Sequence, residues 1–443
     1  MSYLDNILFA ILLIIGFGYF YNSVKKIIRN INLGTAINRK DNPNARWKNM
    51  AMIALGQSKM VKRPIAGILH IIVYVGFVII NIELLEIIID GLFGTHRVFS
   101  FLGITYDVLI ASFEILALLV LVAVITFWIR RNGIRLKRFI SSDLNGYPKN
   151  DANYILYFEV VLMTLFLLMN ASDLHLQNVP GGFSHFVKAG AFPVSQFIEP
   201  IFNGVSNELV MLLSEIFWWL HIIGILVFMN YLYFSKHLHI LLAFPNTYFA
   251  NLNPQGQFDN LESVTNEVKM MMDPNADPFA AAPATETEVP AKFGASDVQD
   301  LNWVQLLNAY TCTECGRCTS SCPANITGKK LSPRKIMMDT RDRLEEVGKN
   351  IDANKGVFVP DNKSLLNDYI TAEELWACTS CNACVEECPV SISPLSIIMD
   401  MRRYLVMEQS AAPMPINAMM TNIENNGAPW QYNQQDRLNW KNE

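Results

Sequence analysis

Five long apolar runs in the first half of the chain constrain its fold more than any other feature. Hydrophobic residues make up 51% of the 443 residues. A helix needs about 20 apolar residues to cross a bilayer core, and most of these runs reach that length with their flanks. A backbone in lipid must satisfy its own hydrogen bonds, so each run is expected to form a helix. The predicted spans are Ile7–Tyr21, Ile65–Ile82, Val108–Ile129, Ile155–Met169 and Leu209–Phe234. The fourth run is the shortest, and a helix buried in protein is its alternative interpretation.

Basic residues between the runs set the expected orientation. Residues 25–63 carry ten Lys or Arg and residues 130–149 carry six, whereas 90–105 and 171–207 carry one each. Positive loops stay in the cytoplasm. We therefore expect a protein of the bacterial cytoplasmic membrane, with its N-terminus outside the cell membrane and everything after Lys236 on the cytoplasmic side. The first span is expected to be a retained anchor, because no basic residue precedes it. No basic patch suggests a nucleic-acid partner.

All eight cysteines fall into two copies of one spacing, Cys-x2-Cys-x2-Cys-x3-Cys-Pro, placed 66 residues apart. This spacing is typical of bacterial ferredoxins with two [4Fe–4S] clusters, in which the fourth cysteine of each run ligates the other cluster. One cluster is therefore predicted on Cys312, Cys315, Cys318 and Cys388, and the other on Cys378, Cys381, Cys384 and Cys322. Disulfides, which need an oxidising compartment, and zinc, which commonly takes two separated cysteine pairs, are the less favoured alternatives.

The sequence around the cysteine runs predicts further helices and a domain division. Helices are expected over Asp297–Tyr310, from Pro333 through the insert between the runs, and over Pro394–Met407. A segment rich in Pro, Ala and acidic residues, about 270–294, is typical of a linker. We therefore expect a membrane domain at 1–245, a linker at 246–296, a cluster domain at 297–410 and a tail at 411–443. The tail is interpreted as a docking segment, with surface coil as the alternative.

Three of the seven histidines are candidate haem ligands inside or beside the spans. His70 lies near the cytoplasmic end of the second span, and His221 and His239 bracket the fifth. On one continuous helix, their separation of 18 residues is five turns, so both would project from one face. Because His70 and His239 are both expected near the inner surface, on different helices, we expect them to be the axial ligands of a haem b. His237 is the rival ligand, and an interfacial role for His237 and His239 is the other alternative.

The segment from His221 to His239, with Leu69-His70-Ile71, resembles the haem-binding helices of the nitrate reductase gamma subunit family. The cytochrome b subunit of heterodisulfide reductase resembles the same group. That resemblance implies five spans with b haems, and a second histidine ten residues after His70, where this chain has Ile80. An outer haem on His221 therefore lacks its expected partner, for which His175 or His185 could substitute. In the alternative with one haem, His221 contacts quinone or packs in the bundle.

Five acidic residues lie at membrane depth or near its edge and are candidates for carrying protons to and from a quinone. Glu114 and Glu215 are the preferred candidates. Exposure at the membrane surface is the alternative interpretation, and it fits Glu86 best and Glu83 next. The five are Glu83, Glu86, Glu114, Glu159 and Glu215.

The arrangement as a whole resembles membrane-bound iron–sulfur oxidoreductases of the heterodisulfide reductase type. The expected fold class is mostly α, with a five-helix haem b bundle in the membrane followed by a cytoplasmic α-helical 2[4Fe–4S] ferredoxin-like domain. The resemblance implies a membrane electron-transfer subunit that connects a cytoplasmic redox partner to menaquinone or ubiquinone. That partner is expected to be a separate iron–sulfur subunit with CCG motifs, an electron-transfer flavoprotein, or both.

Three alternatives to this function stay open at the level of the sequence. The first is electron flow from quinol to a disulfide-reductase-type partner. The second is a relay or anchor with no catalytic site of its own. The lack of a CCG motif among the 443 residues partly favours this alternative. The third, a redox sensor, is disfavoured because no output domain is recognisable.

Overall fold

The computed structural model describes residues 3–179, 186, 188–274, 292–431 and 433–442, and within these ranges the regular structure is helical. Two isolated bridges, between Thr35 and Asn302 and between Leu366 and Ile370, are the β-type pairings found there. The helices are α1 (Tyr3–Ile31), α2 (Pro43–Met50), α3 (Pro64–Phe93), α4 (Ile104–Trp128), α5 (Tyr147–Gln177), α6 (Asn207–Tyr231), α7 (His239–Tyr248), α8 (Glu262–Met272), α9 (Trp303–Thr311), α10 (Arg317–Ser320), α11 (Pro323–Ile326), α12 (Pro333–Ala353), α13 (Leu365–Asp368, kinked), α14 (Ala372–Trp376), α15 (Ala383–Glu387), α16 (Pro394–Met407) and α17 (Met414–Asn426).

Helices α1, α3, α4, α5 and α6 are long and apolar enough to cross a membrane, which confirms the five predicted spans. The fourth span, the shortest run in the sequence, is one of the longest helices at 31 residues. Successive helices from α3 to α6 pack side by side, and α1 packs on both α3 and α6. The five spans therefore form a closed ring.

Local sequence fixes where several spans begin and end. Pro64 and Pro148 stand in the first turns of α3 and α5, where a missing backbone N–H costs nothing. The Ser206 hydroxyl accepts a hydrogen bond from the Leu209 N–H at the start of α6. Gly94 ends α3 with φ of 68°, a left-handed conformation that glycine adopts without strain.

The fifth span does not continue as one helix to His239, so the expectation that His221 and His239 share a helical face is wrong. Helix α6 ends at Tyr231, and a short 3₁₀ turn follows at Leu232–Phe234. Ser235 then takes an extended conformation, with φ of −112° and ψ of 146°. The chain turns there, and His239 begins α7 in a new direction.

The region that carries the cysteines is held together around α12, which packs against α9, α10 and α16. The buried Arg343 on α12 pairs with Asp297 at 2.8 Å and with Asp361 at 2.5 Å. Helices had been predicted for the insert and for Pro394–Met407, and α12 and α16 occupy these positions. The predicted helix at Asp297–Tyr310 is a 3₁₀ turn at Val298–Asp300 followed by α9.

The segment expected to be a linker is partly helical and partly packed. Helix α7 runs across the expected boundary at 245, and Asn246, which is buried, donates to the Val390 carbonyl at 2.7 Å. Helix α8 forms the next ordered part. The residues at the centre of the Pro/Ala/acid stretch, 275–291, lie outside the described residues.

Candidate electron-transfer site

Sulfurs of the first cysteine run meet the last cysteine of the second run. Cys312, Cys315, Cys318 and Cys388 line one small cavity, with Cys384 also on its wall. Cys312 and Cys388 are buried. This grouping supports the predicted ligand set for the first cluster, including the crossed fourth ligand.

The other four cysteines form the corresponding second group. Cys378 and Cys384 each lie close enough to Cys322 and Cys381 for the charges of their thiolates to repel each other. Cys322 is buried, whereas Cys381 is exposed. This grouping supports the second predicted ligand set, and it places the second cluster site against the protein surface.

The two cysteine loops repeat each other in backbone conformation as well as in sequence. Glu314 and Gly316 have φ of 54° and 71°, and Ser380 and Asn382, each 66 positions later, have φ of 57° and 60°. These left-handed residues turn backbone N–H groups toward sulfur, as in the Ser380 N–H, which lies 3.4 Å from Cys378 Sγ. Such loops match what a cubane ligand loop needs, because N–H groups near the sulfurs adjust cluster potential.

The chemistry of the first sulfur group also fits a cluster. Burial raises the pKa of Cys312 to about 12 and that of Cys388 to about 11. Thiolates at these positions therefore need a positive group beside them, which bound iron supplies. Within the described ranges, no three His, Cys, Asp or Glu side chains converge as ligands of a single metal ion.

The predicted haem ligands His70 and His239 lie opposite each other at the end of the bundle, with their rings tilted. Their ring centroids are 6.4 Å apart, with an angle of 41° between the rings. Two imidazole nitrogens each about 2 Å from one metal ion put their ring centroids about 6 Å apart. The pair therefore fits the spacing of a bis-histidine haem site.

Hydrogen bonding prepares His239 for ligation. Its Nδ1–H donates to the Lys236 carbonyl at 3.1 Å, which leaves Nε2 with its lone pair for a metal. The surrounding protein excludes water and lowers the pKa of His239, so the ring is neutral at pH 7. His237 contacts the His239 ring edge-on at 5.3 Å, beside the pair with His70. His237 is the rival ligand, and because the chain leaves the helix at Ser235, helical geometry does not decide between His237 and His239.

The first cysteine loop binds directly to the segment that carries His239. Glu314, between the first two cysteines of the loop, pairs with Lys236, whose side chain is 9% exposed and also donates to the Pro148 carbonyl at 2.6 Å. The second oxygen of Glu314 accepts from Arg341 at 2.8 Å. Burial acts to raise the pKa of Glu314, but Lys236 and Arg341 together hold it below its usual value.

The same loop also binds the segment that leads into the His70 helix. Arg317, the residue before Cys318, is buried and donates to the carbonyls of Lys59 and Met60, both at 3.2 Å. These carbonyls lie about ten residues before His70 in the chain. The first cluster site is therefore fastened to both histidine-bearing segments.

A third contact joins the cluster domain to the loop between the third and fourth spans. Arg334, at the start of α12, is 1% exposed and donates to Asp143 at 2.7 Å and to the Arg138 carbonyl at 2.9 Å. Burial acts to raise the pKa of Asp143, but Arg334 holds it below its usual value. All the segments predicted to be cytoplasmic on charge thus lie on the side of the bundle that carries the cysteines.

Of the histidines proposed for an outer haem, the two that the structure describes, His221 and His175, do not come together. His221 is buried among the spans, with Phe166 as its ring neighbour at 6.0 Å. His175 lies at the far end of α5, where Nδ1 is 2.6 Å from Glu199 Oε1. His185 lies outside the described residues.

The structure changes the ranking of the acidic residues. Glu114 is fully buried and accepts from the N–H groups of Val194 and Ser195 at 2.8 and 3.0 Å, so it anchors the loop between the fourth and fifth spans. Glu215 is exposed. The interfacial exposure considered for Glu83 and Glu86 is wrong, since each is only 4% exposed.

Sequence reasoning missed a buried ionic network at the opposite end of the bundle from the cysteines. Arg97, the one basic residue of its loop, donates to Asp173 at 2.5 Å and to Asn170 and Tyr106 at 3.1 Å each. The Tyr106 hydroxyl in turn donates to Glu86 at 2.8 Å. The sequence did contain one sign of this network: a lone arginine in an otherwise uncharged loop, close to acidic residues at helix ends. Buried charges require partners, so such an arginine is expected to pair with these acids.

Residues 311–392 match the model of a 4Fe–4S dicluster domain, so the chain contains such a domain. Over 436 residues the chain is 30% identical to the probable iron–sulfur-binding oxidoreductase FadF of Bacillus subtilis, covering 91% of this chain and 55% of that protein. It is 24% identical over 436 residues to the EtfAB:quinone oxidoreductase of Syntrophomonas wolfei, covering 92% of this chain and 55% of that protein.

A shorter match covers the cluster region. The chain is 32% identical over 107 residues to one subunit of the ferredoxin/F420H2-dependent CoB–CoM heterodisulfide reductase of Methanosarcina acetivorans, covering 24% of this chain and 52% of that protein. No solved structure matches. The chain spans about half the length of the curated relatives it matches, and the likeness of its membrane half to the nitrate reductase gamma subunit stays a prediction.

Proposed function

We propose that this chain, an iron–sulfur oxidoreductase related to EtfAB:quinone oxidoreductase and to heterodisulfide reductase subunits, transfers electrons between a cytoplasmic redox partner and the quinone pool. Its carriers are two [4Fe–4S] clusters and a haem b. The observation that carries the proposal is the double attachment of one cysteine loop: Glu314 binds the segment of His239 and Arg317 binds the segment before His70. A cluster there lies beside the haem ligands, as a relay requires.

The positions of the ligand groups give the relay an order. The second cluster site meets the surface at Cys381, which is exposed, and the first site lies deeper behind Cys312 and Cys388. The pair of His70 and His239 comes next, at the end of the bundle. The bound groups supply one-electron redox chemistry, while the protein sets their spacing, their hydrogen bonds and their access to water.

The partner is proposed from the relatives and from the exposed end of the relay. Relatives are named for EtfAB and for heterodisulfide reductase, so an electron-transfer flavoprotein or a CCG-type iron–sulfur subunit is the proposed partner. Either would approach at Cys381. The tail at 411–443 offers apolar side chains for docking beside the cluster domain at 297–410, since Met414 is 81% exposed and Trp430 57%.

The direction of electron flow gives a second candidate. The relation to heterodisulfide reductase subunits favours a version in which quinol supplies electrons to a disulfide-reducing partner. The same carriers in the same order serve both directions. In both versions the cysteine side of the bundle faces the cytoplasm and the N-terminus of α1 lies outside, an orientation that the basic loops on the cysteine side support.

Purification of the full chain in detergent, followed by iron and haem counts, tests the proposal. We expect about eight irons in two cubanes and a b haem that is reduced when quinol is added. His70→Leu and His239→Leu should each remove haem and leave the iron of the two clusters unchanged, because the cysteine ligands lie on segments separate from the two histidines. His175→Leu is the matched control and should retain haem, since that ring pairs with Glu199 away from the site.

Two results would overturn the proposal. One is wild-type protein with full clusters and no haem, which would leave the bundle without a carrier. The other is haem that survives both His70→Leu and His239→Leu but is lost in the control.

A further inference from the structure

The membrane bundle encloses an apolar cavity of about 90 Å³. Its walls come from α3, α4, α5 and α6. On α3 the wall includes Phe77, which is 44% exposed, and Asn81, which is also exposed, so the cavity reaches the lipid-facing surface of the bundle. An apolar molecule dissolved in the membrane therefore has a direct lateral route into it.

Three buried polar side chains break the apolar lining, and two of them have unpartnered atoms. His221 is 4% exposed, and its Nδ1 has no hydrogen-bond partner among the residues that the structure describes. Glu83 is 4% exposed, and within the same described part of the chain its Oε2 has none. Glu159, 9% exposed, lines the same space. Polar atoms buried without partners in an apolar site are costly, which points to a ligand that satisfies them.

The cavity also lies beside the proposed haem ligands. Val73, on its wall, follows His70 on α3 by three residues, about 4.5 Å along the helix. Phe228, on the opposite wall, contacts the His237 ring at 5.4 Å, and His237 in turn contacts His239. Electrons that reach this histidine group are therefore within one side chain of the cavity.

A second cavity, of about 330 Å³, lies at the outer end of the bundle and borders the first. The two cavities share Glu83 and Ile87 on their walls, and Glu83 is the polar member of that pair. The second cavity is more polar, and its wall also includes Asp90, Asp173 and Glu215. Glu83 thus stands between a polar space at the outer end and the apolar space near the histidines.

We propose that the apolar cavity binds the ring of an isoprenoid quinone, with His221 and Glu83 bonding to its oxygens; the proposal rests on the proposed quinone-linked function. Its apolar walls with a few converging polar groups suit such a ring, and the tail leaves between the lipid-facing side chains. Reduction of a quinone takes two electrons and two protons and turns two carbonyls into hydroxyls; oxidation of the quinol reverses this. Electrons pass on the His70 side, and protons pass through Glu83, which exchanges them with the outer cavity twice per quinone.

Fluorescence quenching of 2-heptyl-4-hydroxyquinoline N-oxide, a quinone analogue, measures the binding in detergent-solubilised full chain. His221→Leu removes a bonding atom, and Leu84→Phe fills the cavity without touching a polar group. Each should weaken analogue binding about tenfold, the loss expected for one buried hydrogen bond or for lost shape. Leu220→Phe is the matched control: it precedes His221, is 48% exposed to lipid, and should bind normally.

Stopped-flow reduction of haem by decylubiquinol separates binding from proton transfer. Glu83→Gln should leave analogue binding within about twofold, because the amide still bonds to an oxygen, while haem reduction slows about a hundredfold, as for loss of a general base. Glu208→Gln is the matched control, since Glu208 is an exposed carboxylate on α6 outside both cavities.

The outcomes separate this inference from the proposed function. Unchanged binding in both His221→Leu and Leu84→Phe would overturn the quinone site, and so would a fall in haem content in either variant, which would make the cavity part of a haem pocket. A wild-type chain whose haem is not reduced by decylubiquinol would instead overturn the proposed function itself.

Discussion

Replacing Lys236 tests whether the attachment of the cysteine loop sets the rate of electron transfer to the bundle. Lys236→Met removes the partner of Glu314, whose side chain is 2% exposed, and leaves the Pro148 carbonyl without its donor. It also removes a positive charge 3.8 Å from Asp151. Losing one partner of a buried ion pair costs about 3 kcal/mol. The cost falls on the contact between the two halves, because Glu314 keeps Arg341.

Arg341→Met is the matched control for this change. Arg341 binds the other oxygen of the same carboxylate at 2.8 Å, but it belongs to α12 within the cluster domain. Both variants should lower the melting temperature of the cluster absorbance by similar amounts. Only Lys236→Met should slow the rate at which reduced clusters pass electrons to haem, measured by stopped flow at the haem band. Equal rates in the two variants, with equal loss of stability, would refute the reasoning.

Three other predictions follow from single contacts. Cys388→Ser should remove the first cluster and retain the second, read as loss of one of two cluster signals in electron paramagnetic resonance; loss of the signal assigned to Cys378 would contradict the crossed ligation. Gly316→Ala should destabilise the domain by about 1 kcal/mol or more, read by thermal melting against Gly328→Ala, because φ is 71° at Gly316 and an added Cβ would lie 2.6 Å from Arg334, whereas at Gly328, with φ of 83°, it would meet nothing within 4 Å. Asp143→Asn should lower stability at pH 7, since Arg334 depresses the pKa of Asp143 below 3.8. The stability that this pair contributes is present above pH 3.8 and is lost as pH falls through the lower folded pKa, so variant and wild type should converge in acid; a constant difference would contradict it.

The sequence predicted most where the physics is local. Spans follow from apolar length, and the grouping of Cys388 with Cys312 follows a spacing whose geometry cubane chemistry dictates. The pairing of His70 and His239 in space was also anticipated, from their expected places near the same end of two different spans. The alignment of His221 and His239 on one helical face was wrong. It assumed a helix through residue 235, and single-residue breaks such as Ser235 depend on what the segment packs against.

What the sequence could not supply were the partners of buried polar groups. Glu83 and Glu114 are both acidic residues inside apolar helices, and nothing in their own segments distinguishes them. The structure separates them because Glu114 meets backbone N–H groups from a loop about 80 residues away, while Glu83 meets a cavity. Long-range contacts of this kind are set by tertiary packing, and hydrophobic periodicity carries no record of them.

The placement of Glu314 and Arg317 between ligand cysteines has a consequence for modularity. In this chain the residues that recognise the membrane half are inside the metal-binding loop, rather than on a separate docking surface. A soluble ferredoxin module grafted onto this bundle would bring its own clusters but none of these contacts. A grafted module would bind this bundle only if it carried both side chains together with the cysteines. Cluster binding and recognition of the bundle therefore depend on the same short loop.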